Sequence, residues 1–418
     1  MIDRKHRAVR ALVCVCATLT AGAALAQDDL VYRVDFEVRV VPTERAARVN
    51  VHVTDPKGLL RQVNWRIDPE RHRDFAGGGT VEVEGDVVRW IPEPGVTTLR
   101  YVFRIDHLRD ERSYDARCAE NWAIFRGDDL VPPAKVRTAL GARSASHLYL
   151  RVPDGWSAVA PYERAADSSF RIDNPHRGFD RPTGWLAVGR LGILRETVAG
   201  SRIAVAGPKG QRLQRLDILA LLRWTLPTVR DMVGELPDRL LVVTARDPMW
   251  RGGLSGPRSA FVHASRPLIS DDGTSPVLHE LVHAALGFEP GDGGDWIVEG
   301  LAELYSLEAL VRSRTISRKR QEKVLSRMKQ RAKAVPSLEV ASARGEITDR
   351  AVIALRALDA EIREHTQDQR SLEDAVRVLS ESRLDITTAQ LKNAAEQVSG
   401  ADLSGFFRQH VGEARPGR

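Results

Sequence analysis

Alternation of apolar and polar positions dominates the first half of the chain. Tyr32, Val34, Phe36, Val38 and Val40 fall on one face of residues 31–41, and Arg33, Asp35, Glu37 and Arg39 on the other. A period of two is that of a half-buried strand. Val49, Val51 and Val53 repeat it, as do Leu99, Tyr101, Phe103 and Ile105, and then Leu148, Leu150 and Val152. Two short alternating runs flank Gly85 between Val81 and Val88, which predicts a hairpin. Residues 27–200 therefore read as an antiparallel β-domain with solvated charged faces.

The period lengthens after Lys209. Leu213 to Met232 has helical spacing, and Pro227 within it predicts a kink or a break. Leu240 to Thr244 and Ser259 to His263 predict two short strands on either side of a Gly252-Gly253 loop. From Ala302 onward the pattern is helical, with breaks near Pro336 and Gly345. Residues 201–418 read as a second, mostly helical domain, and the whole as α+β.

The densest chemistry lies between Ser275 and Glu303. His279-Glu280-x-x-His283 sets two imidazoles at i and i+4, one face of one helix. At that pitch they can share a metal ion, with Glu280 beside them to act on a water. Ser275 fits the N-cap, Pro276 the first helical position and Gly287 the stop. After a glycine-rich loop, Asp295 is placed to cap a second helix carrying Glu299, where a third ligand is needed. Glu303 lies one turn beyond on the same face. It reads as the acceptor that fixes a histidine tautomer, or as a plain surface carboxylate. A helix with two incidental histidines would not account for the second helix.

Composition changes this picture little. The chain has 418 residues, 43% hydrophobic and 28% charged, which suits a globular protein of two or three domains. Residues 1–26 read as a cleavable signal peptide. Arg4, Lys5, Arg7 and Arg10 precede an apolar run from Ala11 to Ala21, and Ala24-Leu25-Ala26 fits a cleavage site before Gln27. The run is too short to span a bilayer, and an uncleaved anchor is the lesser alternative. Periplasmic or secreted localisation follows. Half of the formal +6 charge belongs to that leader, so nothing demands a nucleic-acid partner. Cys14 and Cys16 leave with it, and Cys118 remains as a small buried hydrophobe with no disulfide partner. Residues 312–333 hold ten Lys/Arg against Glu322 alone. They read as a solvated helix face, with contact to an anionic membrane or envelope polymer as the first alternative and nucleic acid, for want of interleaved aromatics, as the last.

HELVH followed by WIVEGLAELY resembles the gluzincin metallopeptidases, whose third ligand lies in a W-x-x-E-G segment. Within that group the chain most resembles the glycyl aminopeptidase family. RGGLSGPRSAF, residues 251–261, is similar to that family's GGLEH-x-x-S loop. The tail from Ala354 to Gly412 resembles its closing helices, and the β-rich half its leading domain more loosely. The resemblance implies a β-domain followed by a thermolysin-like catalytic domain. It implies zinc held by His279, His283 and Glu299, and Glu280 as the general base that passes a proton from water to the leaving amine.

Three departures accompany it. Ser255 stands where the family's loop carries a glutamate, and in related aminopeptidases an acidic residue there binds the substrate's free amine. The tyrosine that steadies the oxyanion in better-known relatives has no counterpart, since no tyrosine follows Tyr305. Arg350, His365 and His410 are the substitutes to examine. The PDZ module that relatives often append is not expected. The expectation is thus an exported zinc metallopeptidase acting on a peptide or protein substrate, endopeptidase over general aminopeptidase. The alternative is a metal-stabilised binding or scaffold protein of the cell envelope with little or no turnover.

Overall fold

A computed structural model describes residues 30–174, 178–382 and 385–412. The expected leader, residues 1–26, lies outside the described residues. The architecture is α+β: a β-rich N-terminal domain followed by a mostly helical one.

The alternating runs become the largest sheet. Its seven strands are ordered Glu163–Arg164, Phe170–Ile172, Arg143–Arg151, Val31–Val41, Ala46–Asp55, Gly95–Arg104 and His72–Gly77. One prediction fails here. Val31–Val41 pairs in parallel with Arg143–Arg151, Val31 opposite Arg143 and Arg39 opposite Arg151. The domain is therefore not wholly antiparallel. Alternation reports which face of a strand is buried but not which distant strand lies alongside it. The Gly85 hairpin is present, with Thr80–Glu84 against Val87–Ile91 and Gly85 at φ 57°. It belongs to a four-stranded sheet that packs over the first one through Trp65, Trp90, Phe36 and Phe179.

A five-stranded sheet of the β-domain carries Trp122–Arg126 and Trp185–Gly189 against the second domain. Trp122, Ile124 and Trp185 pack on Leu241, Val243 and Phe261, with Trp185 and Phe261 ring centroids 5.4 Å apart. This second layer is a mixed sheet ordered Leu191–Val198, Ser201–Pro208, Arg239–Ala245, Ser259–His263, Gly253–Gly256. The division expected at residue 200 falls inside the hairpin of its first two strands.

Eight helices of the described residues complete the domain: α1 Arg215–Val233, α2 Pro276–Leu286, α3 Asp295–Arg312, α4 Arg318–Ala332, α5 Glu346–His365, α6 Leu372–Ser382, α7 Thr388–Ser399 and α8 Ser404–His410. They share one apolar core with the sheet face opposite the β-domain. α1 runs through Pro227 without a break. Pro227 and Arg223 are exposed, so the carbonyl that loses its amide partner is open to water. The basic helix α4 buries Val324, Met328 and Ala332, while its Arg327 and Arg331 pair with Asp272 and Asp349. No helix among the described residues is long and apolar enough to cross a membrane.

Candidate metal centre

Local rules set α2. The Ser275 hydroxyl accepts from the Leu278 N–H at 3.3 Å, Pro276 takes the first turn, and Gly287 at φ 63° closes the helix. Val277, Leu278, Leu281 and Val282 are buried in the core. His279 and His283 stack edge to face, with ring centroids 4.8 Å apart.

α3 starts differently from the sequence expectation. Gly294 is the cap residue, and Asp295 is the first helical one. The Asp295 carboxylate instead accepts from the N–H of Ala343 at 2.5 Å. Packing explains the exchange: a Cβ at position 294 would lie 1.7 Å from the Ile386 carbonyl oxygen. The helix can press this close to its neighbours at a second point, because Gly300 faces Ala351 and Leu355 of α5.

α3 then presents Glu299 and Glu303 to α2. Glu299 Oε2 lies 3.3 Å from His279 Nε2, and Oε1 lies 3.5 Å from His283 Nε2. The two Nε2 atoms are 3.1 Å apart. One ligand atom from each of these three residues falls within 4.8 Å of the others, a spacing that could hold a metal ion. Glu303 Oε2 is 2.9 Å from His279 Nδ1, so that in the neutral ring, the form that can bind a metal, the proton sits on Nδ1 and the Nε2 lone pair faces the cluster. Glu303 is no surface carboxylate, with only 16% of its side chain exposed. Two imidazole nitrogens and one carboxylate form the donor set that zinc takes, leaving a fourth position free.

Glu280 points from the same helix toward the strand Gly253–Gly256, at the sheet's edge. A Cβ on Gly253 would lie 2.5 Å from Glu280 Oε1 and 2.7 Å from its Cγ, so glycine is what lets the strand pass beside this carboxylate. Sequence reading assigned Gly253 no such role; the Gly-Gly pair ahead of the helix was the available signal. Burial pushes the Glu280 carboxyl up from its ordinary value. His279 and His283 pull it down, Glu299 adds to the rise, and a hydrogen bond with Ser255 lowers it. For Glu299 burial also pushes upward, but the two histidines outweigh it and hold the group well below the usual carboxylate range. Burial lowers His279, yet its hydrogen bonds to Glu299 and Glu303 carry it well above an ordinary imidazole.

The other sequence candidates are engaged elsewhere. Arg350 donates to the carbonyls of Val335 and His410, which ties α5 to α8. His365 sits 3.8 Å from Glu361 on its own helix, and His410 stacks on Phe406. Tyr305, the last tyrosine of the chain, is buried beside Glu308, Arg312, Asp359 and Glu373. Among the described residues none of them hydrogen-bonds to or pairs with the cluster, so no oxyanion donor is assigned.

No family model and no curated protein matches the chain. Solved structures do. An aminopeptidase N family protein from Idiomarina loihiensis superposes with a TM-score of 0.69 at 14% identity, over 90% of this chain and 76% of that one. A mutant of an M1 zinc metallopeptidase from Deinococcus radiodurans gives 0.62 at 16% identity, over 93% of this chain and 95% of that one. At these identities the likeness is one of fold.

Proposed function

We propose that this protein is a zinc-dependent peptidase in which His279, His283 and Glu299 hold the metal and Glu280 is the general base. The observation that carries the reading is the convergence of those three ligand atoms within 4.8 Å, next to a buried carboxylate on the same helix. The similarity of fold to zinc metallopeptidases supports it. Bound there, zinc supplies Lewis-acid chemistry, polarising the scissile carbonyl and acidifying a water.

The chain's own residues do the rest. Glu280 takes a proton from the attacking water on its Oε and returns it to the departing amine nitrogen. Burial, which raises its proton affinity, makes it a better base than an exposed glutamate. Glu303 keeps the His279 ring turned toward the cluster. The strand Gly253–Gly256 is hydrogen-bonded on one side only, leaving its other edge for an extended peptide.

Ser255 on that strand is engaged by Glu280, and the strand carries no carboxylate to pair with a free terminal ammonium. This favours cleavage of internal bonds over removal of N-terminal residues. The test is a mixed peptide library with free and blocked N-termini, offered to the zinc-loaded protein and to Glu280→Gln. Cleavage of blocked peptides by the parent alone supports the proposal. Absence of cleavage by both, with one zinc per chain, supports instead a metal-stabilised binding protein.

Export belongs to the proposal through the basic and apolar pattern of residues 1–26. It predicts a mature protein that begins at Gln27. An intact leader on periplasmic material would overturn it.

A further inference from the structure

A second site lies at the other edge of the catalytic sheet. Strand order places Leu191–Val198 at one edge and Gly253–Gly256, beside Glu280, at the other. Between the first edge and the β-domain opens a cavity of about 500 Å³. Its floor is apolar, with Leu241 and Ala204 from the sheet and Pro161 and Phe170 from the β-domain. Its rim is cationic. Arg195, Arg202 and Arg239 come from three successive strands, and Arg164 from the facing domain.

Sheet register makes this charge unusual. Arg202 and Arg239 are direct partners across two parallel strands. Like charges at such positions repel. One carboxylate serves them both: Glu163 Oε1 lies 2.9 Å from Arg239 and 3.7 Å from Arg202, while its Oε2 takes Arg171 at 2.9 Å. Glu196, which also lines the cavity, is held bidentately by Arg223 outside it at 2.7 and 2.8 Å. Arg164, lying over the Phe170 ring, and Arg195 have no carboxylate partner among the described residues. The cavity thus keeps a cationic excess that the protein itself leaves unmatched.

We propose that this cavity binds a small organic phosphate, its dianionic head among Arg164, Arg195, Arg202 and Arg239 and its body on the apolar floor. Guanidinium groups offer planar paired N–H donors that match phosphate oxygens, and several of them suit a dianion better than a single carboxylate. The volume is that of a small-ligand pocket rather than of a polymer groove. A ligand there bridges the two domains, because Arg164 and Phe170 come from one and Arg195 and Arg239 from the other. The site is independent of the peptidase reading, since it shares no residue with the metal cluster.

The experiment is calorimetric titration of the full zinc-loaded chain with glycerol phosphate and with inorganic phosphate, beside sedimentation with phosphatidic acid vesicles. Saturable binding of one glycerol phosphate per chain is expected, weakened by about tenfold or more in Arg164→Ala/Arg195→Ala. Glu163→Gln removes the competing carboxylate and is expected to tighten binding; a cluster that serves only structure would give lower stability with no gain in affinity. The arginine variant should keep its zinc content and its peptide cleavage. Unchanged binding in that variant would place the phosphate elsewhere, the metal included, and would overturn the proposal, as would no saturable binding. Binding to vesicles without binding of the free ester would replace the small ligand by a lipid headgroup and would overturn it as stated.

Discussion

Glu303 Oε2 and His279 Nδ1 lie 2.9 Å apart, and this contact joins α3 to α2 one turn beyond Glu299. It fixes which ring nitrogen carries the proton and so which is left to bind a cation. Glu303→Ala is expected to lower zinc affinity by about 10- to 100-fold, the cost usual for losing such an outer partner. Glu303→Gln keeps an acceptor oxygen but loses the charge and should fall between the two. Competition with a chromogenic chelator measures both. Equal affinities in all three proteins would show that the contact does not orient a ligand.

Gly253 tests the placement of Glu280 without touching its chemistry. Alanine there puts a methyl group 2.5 Å from Oε1 and 2.9 Å from Cδ of Glu280, so the carboxylate must move. Gly253→Ala should retain zinc yet lose most of its turnover. Glu280→Gln should lose about 10²- to 10⁴-fold, the usual share of a general base. Full activity in Gly253→Ala would mean that the side chain does not work from its observed position.

These contacts show what a sequence discloses. Ser275, Pro276 and Gly287 mark the ends of α2 because caps and stops depend on residues a few positions apart. The i, i+4 spacing of His279 and His283 needs no more than helical geometry. Asp295 misled because its carboxylate has a better donor in the Ala343 N–H, far along the chain, while Gly294 is required by the approach of Ile386. The parallel pairing of Val31–Val41 with Arg143–Arg151 was hidden for the same reason. So was the cationic cavity, whose arginines are scattered over some 75 positions and meet only through sheet register.

Cys118 gives a prediction about pH. The thiol is 1% exposed, and burial, then the charge of Asp106, pushes its pKa up to about 12 from an ordinary 9.0. A raised folded-state value means that the thiol's contribution is fully present below pH 9 and is lost as pH rises toward 12. Protein produced from Gln27 onward should therefore resist a thiol reagent at pH 8 and react at one cysteine per chain once unfolded. Between pH 8 and 11 its stability should fall relative to Cys118→Ala by about 2.5 kcal/mol. Rapid labelling of the native protein would show that the site opens.

Gly300 sets two effects against each other, and their sizes decide the sign. Glycine inside a helix costs about 1 kcal/mol relative to alanine, so Gly300→Ala gains that much in propensity. The new methyl, however, would lie 2.8 Å from Ala351 Cβ and 2.9 Å from Leu355 Cδ1 in the α3–α5 interface. Ala351 cannot swing aside, and overpacking of this kind costs about 1–3 kcal/mol. The balance is a net loss, expected as a lower melting temperature. Because Gly300 follows Glu299 directly, a displaced α3 should also carry that carboxylate off the two histidines and weaken zinc binding. A more stable Gly300→Ala protein with unchanged zinc affinity would mean that the helices separate freely at this point and that Glu299 does not depend on their contact.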